Sequence, residues 1–150
     1  MNILFVDDEP AYRQMLETFL KTEEWVVYSA ANGEEALKRI QEVEIDFIIS
    51  DIYMPIMDGL KLHAKIREIP KHETTPFLFI SGYSDPSTLN AVPRSKNDGF
   101  IQKSQPIGLL KDWIRYLITP VERRPPIPPG EKSTLTQYER TRDPSYHKRR

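Results

Sequence analysis

Apolar residues arrive along the chain in short runs separated by longer amphipathic stretches. Ile3, Leu4, Phe5 and Val6 form the first run. Trp25, Val26, Val27 and Tyr28 form the second, Phe47, Ile48 and Ile49 the third, and Phe77, Leu78, Phe79 and Ile80 the fourth. Phe100 and Ile101 make a weaker fifth. Runs of this length, rich in β-branched and aromatic residues, predict strands buried on both faces. Such strands belong to a parallel sheet covered by helices. The intervening stretches have helical spacing. Tyr12, Met15, Leu16, Phe19 and Leu20 recur at i, i+3, i+4, i+7 and i+8, and Leu110, Trp113, Ile114, Leu117 and Ile118 repeat the spacing. Ala36, Leu37 and Ile40 give a shorter helix after Asn32 and Gly33. Leu60, Leu62, Ile66 and Ile69 give another after Asp58 and Gly59. The alternation predicts an α/β protein, a doubly wound five-stranded parallel sheet with right-handed crossovers. Pro86 and Pro93 fall where a fourth helix belongs, so that element is expected to be short, kinked or partly unwound. Met15 and Trp113 fit their helical stripes and are expected in the core.

The pattern stops near residue 119. Six of the 13 prolines lie in 120–150, beside only five hydrophobic residues, Val121, Ile127, Leu135, Tyr138 and Tyr146. That composition cannot offset the entropy of folding by burial. The chain therefore divides into a compact domain, 1–119, and a Pro-rich basic tail, 120–150, expected to be disordered or extended. A two-domain enzyme is not expected, and 120–150 is expected to form no independent domain. The tail carries a net +4 and the body −5. An acidic body is a poor partner for phosphate backbones, and no DNA-binding domain follows it. The absence of cysteine removes disulfides, thiolate metal sites and cysteine nucleophiles, and fits a cytoplasmic location. No run approaches a membrane span, and acidic Asp7 interrupts any N-terminal signal.

The strand ends carry the chemistry. In an open parallel sheet, ligands bind beyond the carboxyl ends of the strands. Asp7 and Asp8 follow the first predicted strand, Asp51 the third, Ser81 the fourth and Lys103 the fifth. One acid at a loop start is ordinary. Three acids, a hydroxyl and a lysine at four ends of one sheet edge are not. Clustered carboxylates invite a hard divalent cation such as Mg²⁺. A hydroxyl and an ammonium suit the oxygens of a phosphoryl group. The residues alone point to a Mg²⁺-dependent phosphoryl site.

Four segments carry a resemblance: Val6-Asp7-Asp8-Glu9-Pro10; Asp51-Ile52-Tyr53-Met54-Pro55-Ile56-Met57-Asp58-Gly59; Ser81-Gly82-Tyr83; and Phe100-Ile101-Gln102-Lys103. Residues 1–119 resemble the receiver domain of two-component response regulators. The resemblance implies a flavodoxin-like strand order of 2-1-3-4-5 and a single-domain response regulator, not a turnover enzyme. It implies that Asp51 accepts the phosphoryl group by self-catalysed transfer. Asp7, Asp8, Asp51 and the Tyr53 carbonyl would hold Mg²⁺. Lys103 would contact the phosphoryl group, Ser81 would be the switch hydroxyl and Phe100 the switch aromatic. It implies a sensor histidine kinase or phosphotransfer protein as donor and a downstream protein target. Two positions depart from the family. Ser104 replaces the usual proline after the lysine, so the following turn must be made differently, with Pro106 the expected help. Pro93 lies in the fourth-helix region, part of the family's usual output face.

The alternative reading is a phosphorylation-independent adaptor with the same fold. A Mg²⁺-dependent phosphohydrolase is disfavoured because Tyr53 stands where such enzymes carry a second acid. Tyr53 and Tyr83 flank the pocket, as loop packing or as a screen against water. His63 and His72 lack the spacing of metal ligands. In the tail, Arg123, Pro126 and Pro129 have the spacing of a ligand for an aromatic-lined groove, or else belong to a stiff spacer. The basic end at 140–150 suits an anionic partner.

Overall fold

The computed structural model describes residues 1–130. Expectations placed on 131–150, including the basic run at 140–150, lie outside the described residues. Five strands, β1 (Asn2–Val6), β2 (Val26–Ala30), β3 (Phe47–Asp51), β4 (Phe77–Ser81) and β5 (Asp98–Gln102), alternate with five helices. These are α1 (Pro10–Leu20), α2 (Gly33–Glu42), α3 (Gly59–Arg67), α4 (Pro86–Ala91) and α5 (Gly108–Ile118). All strand pairs are parallel, in the order β2-β1-β3-β4-β5. This is the expected doubly wound, flavodoxin-like sheet.

Period-two alternation sends each strand's side chains into two separate cores. Ile3 and Phe5 of β1 join Phe47 and Ile49 of β3 under α1 and α5, packed on Leu16, Leu20, Trp113 and Ile114. Leu4 and Val6 point the other way, with Ile48 of β3, onto Ala36, Ile40, Leu62 and Ile66 of α2 and α3. Each buried Leu, Ile or Phe contributes about 1.5–3 kcal/mol. Both faces of β1, β3 and β4 are therefore needed to hold the helices. Gly99 lets α5 approach β5, because a Cβ there would meet Trp113 Cζ3 at 2.6 Å.

Helix starts follow local chemistry. Asn32 Oδ1 accepts from the Glu35 N–H, Asp58 Oδ1 from the Lys61 N–H and Asp85 Oδ2 from the Thr88 N–H. These bonds satisfy otherwise orphaned first-turn donors. Pro10 and Pro86 occupy first-turn positions, where a missing N–H costs nothing.

Several expectations need adjusting. β2 is an edge strand, not buried on both faces, and Val26 is half-exposed. Met15 is also half-exposed, because the α1 stripe narrows to Leu16 and Leu20. Trp113 is buried as expected. The fourth helix is short, but neither proline lies inside it: Pro86 starts it and Pro93 follows its end. The turn after β5 is closed by Gln105, whose side-chain Oε1 accepts from the Gln102 N–H at 2.9 Å and whose N–H donates to Gln102 O. Pro106 contributes its carbonyl, which accepts from the Leu109 N–H at the start of α5.

The first part of the expected tail is not a free spacer. Pro120 and Arg124 have polyproline-type dihedrals on either side of a 3-10 turn, Val121–Arg123, and the segment folds back against α5.

Candidate phosphoryl and metal site

Strand order reverses between β1 and β3, so a crevice opens beyond their carboxyl ends. Asp7 and Asp8 continue from β1, and Asp51 closes β3. The chain brings one carboxylate oxygen from each of these three acids within 4.8 Å of one another. Asp7 is fully buried, Asp51 nearly so, and Asp8 exposed at the mouth.

The two buried acids are held by backbone. Asp7 Oδ1 accepts from the Glu9 N–H at 2.8 Å, and the Arg13 guanidinium donates to the Asp7 carbonyl at 2.6 Å. Asp51 Oδ1 accepts from its neighbour Ile52 N–H at 2.7 Å. The loop after Asp51 doubles back tightly, with the Gly59 N–H donating to Ile52 O at 2.7 Å. Only glycine fits there, since a Cβ on Gly59 would stand 2.0 Å from the Asp51 carbonyl oxygen.

Lys103 enters from the opposite side. Its N–H donates to Ser81 O at 2.7 Å, which fixes the end of β5 against β4. Its ammonium donates to Asp51 Oδ2 at 3.0 Å and lies 2.9 Å from Asp7 Oδ2. The second approach has the distance of an ion pair but not the direction of a hydrogen bond, so Asp7 Oδ2 is buried without a hydrogen-bond donor. The ammonium also rests over the Tyr12 ring, 4.3 Å from its centroid.

These surroundings shift the protons. Burial pushes the Asp7 and Asp51 carboxyls above the usual carboxylate range, and Lys103 only partly opposes it. Burial works against the Lys103 ammonium, but its hydrogen bond to Asp51 and the charges of Asp7 and Asp51 outweigh it and raise its pKa. Burial pushes the Tyr12 phenol up to about 12. The crevice thus holds more negative charge than one ammonium balances. Two buried carboxylates, an exposed third and an oxygen without a donor fit a hard, oxygen-seeking cation such as Mg²⁺.

Ser81 ends β4 fully buried, and its Oγ accepts from the Tyr83 N–H at 3.0 Å. Phe100 lies partly buried on β5, in the groove toward α5. The expected pocket residues Asp7, Asp8, Asp51 and Lys103 therefore converge directly. Ser81 adjoins Lys103 through the backbone, and Phe100 stands a strand face away. Tyr53 and Tyr83 meet edge to face at 5.1 Å. The Tyr53 hydroxyl pairs with Thr88 Oγ1 at 2.5 Å, and Thr88 in turn donates to Asp85. His63 and His72 are buried hydrogen-bonded residues, His63 on Asp98 and His72 on Thr75.

Three participants had no sequence signal for their roles. Tyr12 reads as a stripe residue, and Arg13 and Thr88 bond across gaps that no local spacing reveals. Glu9, whose carboxylate lies 3.6 Å from the Lys103 ammonium, stood in view beside the acid pair.

Comparison with known proteins agrees with this geometry. The family model described as the response regulator receiver domain matches residues 3–115. An uncharacterised protein from Leptolyngbya boryana is 36% identical over 119 residues, 79% of this chain and 91% of that one. The sensor kinase CckA of Brucella abortus is 35% identical over 118 residues, which are 77% of this chain but only 12% of the kinase. The response regulator TrrA of Thermotoga maritima, solved in complex with Mg²⁺ and BeF, is 34% identical with a TM-score of 0.66, over 78% of this chain and 98% of that one. The match runs through both β1 and β5 and takes in all of the crevice, and the chain belongs to the response regulator receiver domain family of two-component signalling.

Proposed function

We propose that this protein is a phosphorylatable response regulator in which Asp51 accepts a phosphoryl group from a phosphohistidine. The observation that carries the reading is the crevice of Asp7, Asp8 and Asp51 with the Lys103 ammonium on Asp51 Oδ2. An Asp51 carboxylate oxygen attacks phosphorus, the phosphorus–nitrogen bond breaks, and the imidazole leaves with the bonding pair and takes up a proton. The product is an acyl phosphate. Asp7, Asp8, Asp51 and the Tyr53 carbonyl would hold Mg²⁺, which when bound neutralises charge on the phosphoryl oxygens. Lys103 balances further negative charge from the side of β5.

Ser81 then exchanges its present partner, the Tyr83 N–H, for a phosphoryl oxygen. A charge-assisted bond of about 1.5–3 kcal/mol replaces one of about 1 kcal/mol. The vacated space admits Phe100. A few such bonds supply the roughly 5.5 kcal/mol that moves a two-state element from 1:99 to 99:1. The switched surface then engages a downstream protein. A sensor histidine kinase or phosphotransfer protein supplies the phosphoryl group. The compact unit spans 1–119 and acts as a signalling module.

The test is incubation of wild type and Asp51→Asn with Mg²⁺ and a small acyl phosphate donor. Wild type gains a base-labile phosphate and the variant none. Equal labelling of the two would overturn the acceptor assignment, and no labelling of wild type would favour an adaptor that keeps the fold without the chemistry.

A further inference from the structure

Residues 120–130 run back along α5 and close one side of a groove of about 350 Å³ between α4, β5 and α5. Val92, Pro93, Phe100, Trp113 and Tyr116 line the groove, and Pro128 of the returning segment lines its other side. The anchor is Arg124. Its guanidinium donates to Thr119 O at 2.8 Å, Lys96 O at 2.6 Å and Leu117 O at 3.0 Å, and it lies over the Tyr116 ring at 5.0 Å. Two of these acceptors belong to the C-terminal turn of α5, where carbonyls lack helical partners and a cation is favoured. The third belongs to the loop before β5, so one side chain fastens the segment to both walls. Farther on, Gly130 has φ +80° and packs so close to Leu109 that a Cβ would stand 3.0 Å from Leu109 Cδ2. The segment thus reaches from one end of α5 to the other. Four prolines between Arg124 and Gly130 limit the freedom it loses on docking.

We infer that residues 120–130 are an autoinhibitory strap, a proline-rich occupant of the chain's own aromatic groove that is released when Asp51 is phosphorylated. The inference rests on the function proposed above. The strap is docked while Ser81 Oγ accepts from the Tyr83 N–H and Phe100 and Pro128 both line the groove. Turning Phe100 inward reshapes the groove whose other wall carries Pro128. The strap and the phosphoryl group therefore favour opposite arrangements, and by linkage each weakens the other. A protein that binds this groove must displace the strap first, so phosphorylation opens the surface rather than merely reshaping it.

Two full-length variants test the strap: Arg124→Ala, which removes the anchor, and Pro128→Gly, which leaves the helix cap intact but loosens the far half. The probe is beryllofluoride with Mg²⁺, followed by hydrogen exchange at the Arg123 and Arg124 amides, both hydrogen-bonded in the docked strap. The expected result is about tenfold faster exchange on saturating wild type, and about five- to tenfold tighter beryllofluoride binding by either variant, within the usual range of coupling between sites. Unchanged exchange in wild type, or variants that loosen the strap yet bind beryllofluoride as wild type does, would make Arg124 a plain helix cap and overturn the inference. Wild type that binds no beryllofluoride at all would instead overturn the underlying functional reading, and the strap's regulatory role with it.

Discussion

Ile56 has φ 72°, and the Met57 N–H donates to Pro55 O across it at 2.8 Å, so it centres a γ-turn of the strained kind. A β-branched residue is the least suited to that backbone, and Ile56 is mostly exposed, so burial offers little in return. Ile56→Gly is expected to stabilise the fold by about 1 kcal/mol, read as a raised urea midpoint with an unchanged slope. Asp51 holds strain of a different kind. Its carboxyl is raised by burial, so the folded state holds that proton more tightly than the unfolded chain, whose ordinary value is 3.8. A raised carboxyl leaves stability whole below 3.8 and erodes it as pH climbs through the folded value. In chelator at neutral pH, Asp51→Asn should therefore be more stable than wild type by about 0.5–2 kcal/mol, the usual size of gains from relieving a functional site. Asp7 remains as the partner of Lys103 in that variant. The difference should shrink as pH falls toward 3.8, and urea titrations across that range check both points.

At the scale of elements, β5 is the strand its own residues specify least. Its exposure alternates and Gly99 adds no side chain, yet it carries Phe100 and leads into Lys103. Asp98 compensates at its start. One carboxylate oxygen receives His63 and Arg67 from α3, each at 2.8 Å, and the other receives Ser95 at 2.6 Å. Burial pushes the Asp98 carboxyl up, but these bonds outweigh it and hold it below the ordinary value. For a lowered carboxyl the stability is present above 3.8 and is lost as pH falls through the folded value. Asp98→Asn leaves Arg67 short of its charged partner and should cost about 3 kcal/mol at neutral pH, read by urea unfolding. The strands and the long helices were legible in the sequence because two-sided burial and helical stripes are local patterns. The Asp98 cluster was not, because His63 and Arg67 stand over thirty positions away and only the pairing of β4 with β5 brings them near. Met15 misled for the opposite reason, having the right period but lying at the edge of the buried stripe.

For the whole molecule, the acidic crevice was readable because its members follow from one rule about strand ends, and that rule needs only the strands. The strap was not readable. Its prolines and sparse apolar residues describe a segment unable to fold alone, which is correct, and composition says nothing of a groove already built for it. The spacing of Arg123, Pro126 and Pro129 allowed a stiff spacer or a ligand for an aromatic groove elsewhere, and Pro128 between them lines a partly aromatic groove of this chain. The doubled-back path has a consequence for distance. Gly130 packs beside Leu109, near the start of α5, whereas Thr119 follows its end. The eleven residues of α5 span about 16 Å, so releasing the Arg124 anchor frees position 130 to swing through a comparable length. The chain has no cysteine, so a pair of thiols introduced at 130 and on exposed α2 would be its only dye-attachment points, and a spectroscopic ruler across the molecule could follow the anchor's opening in real time.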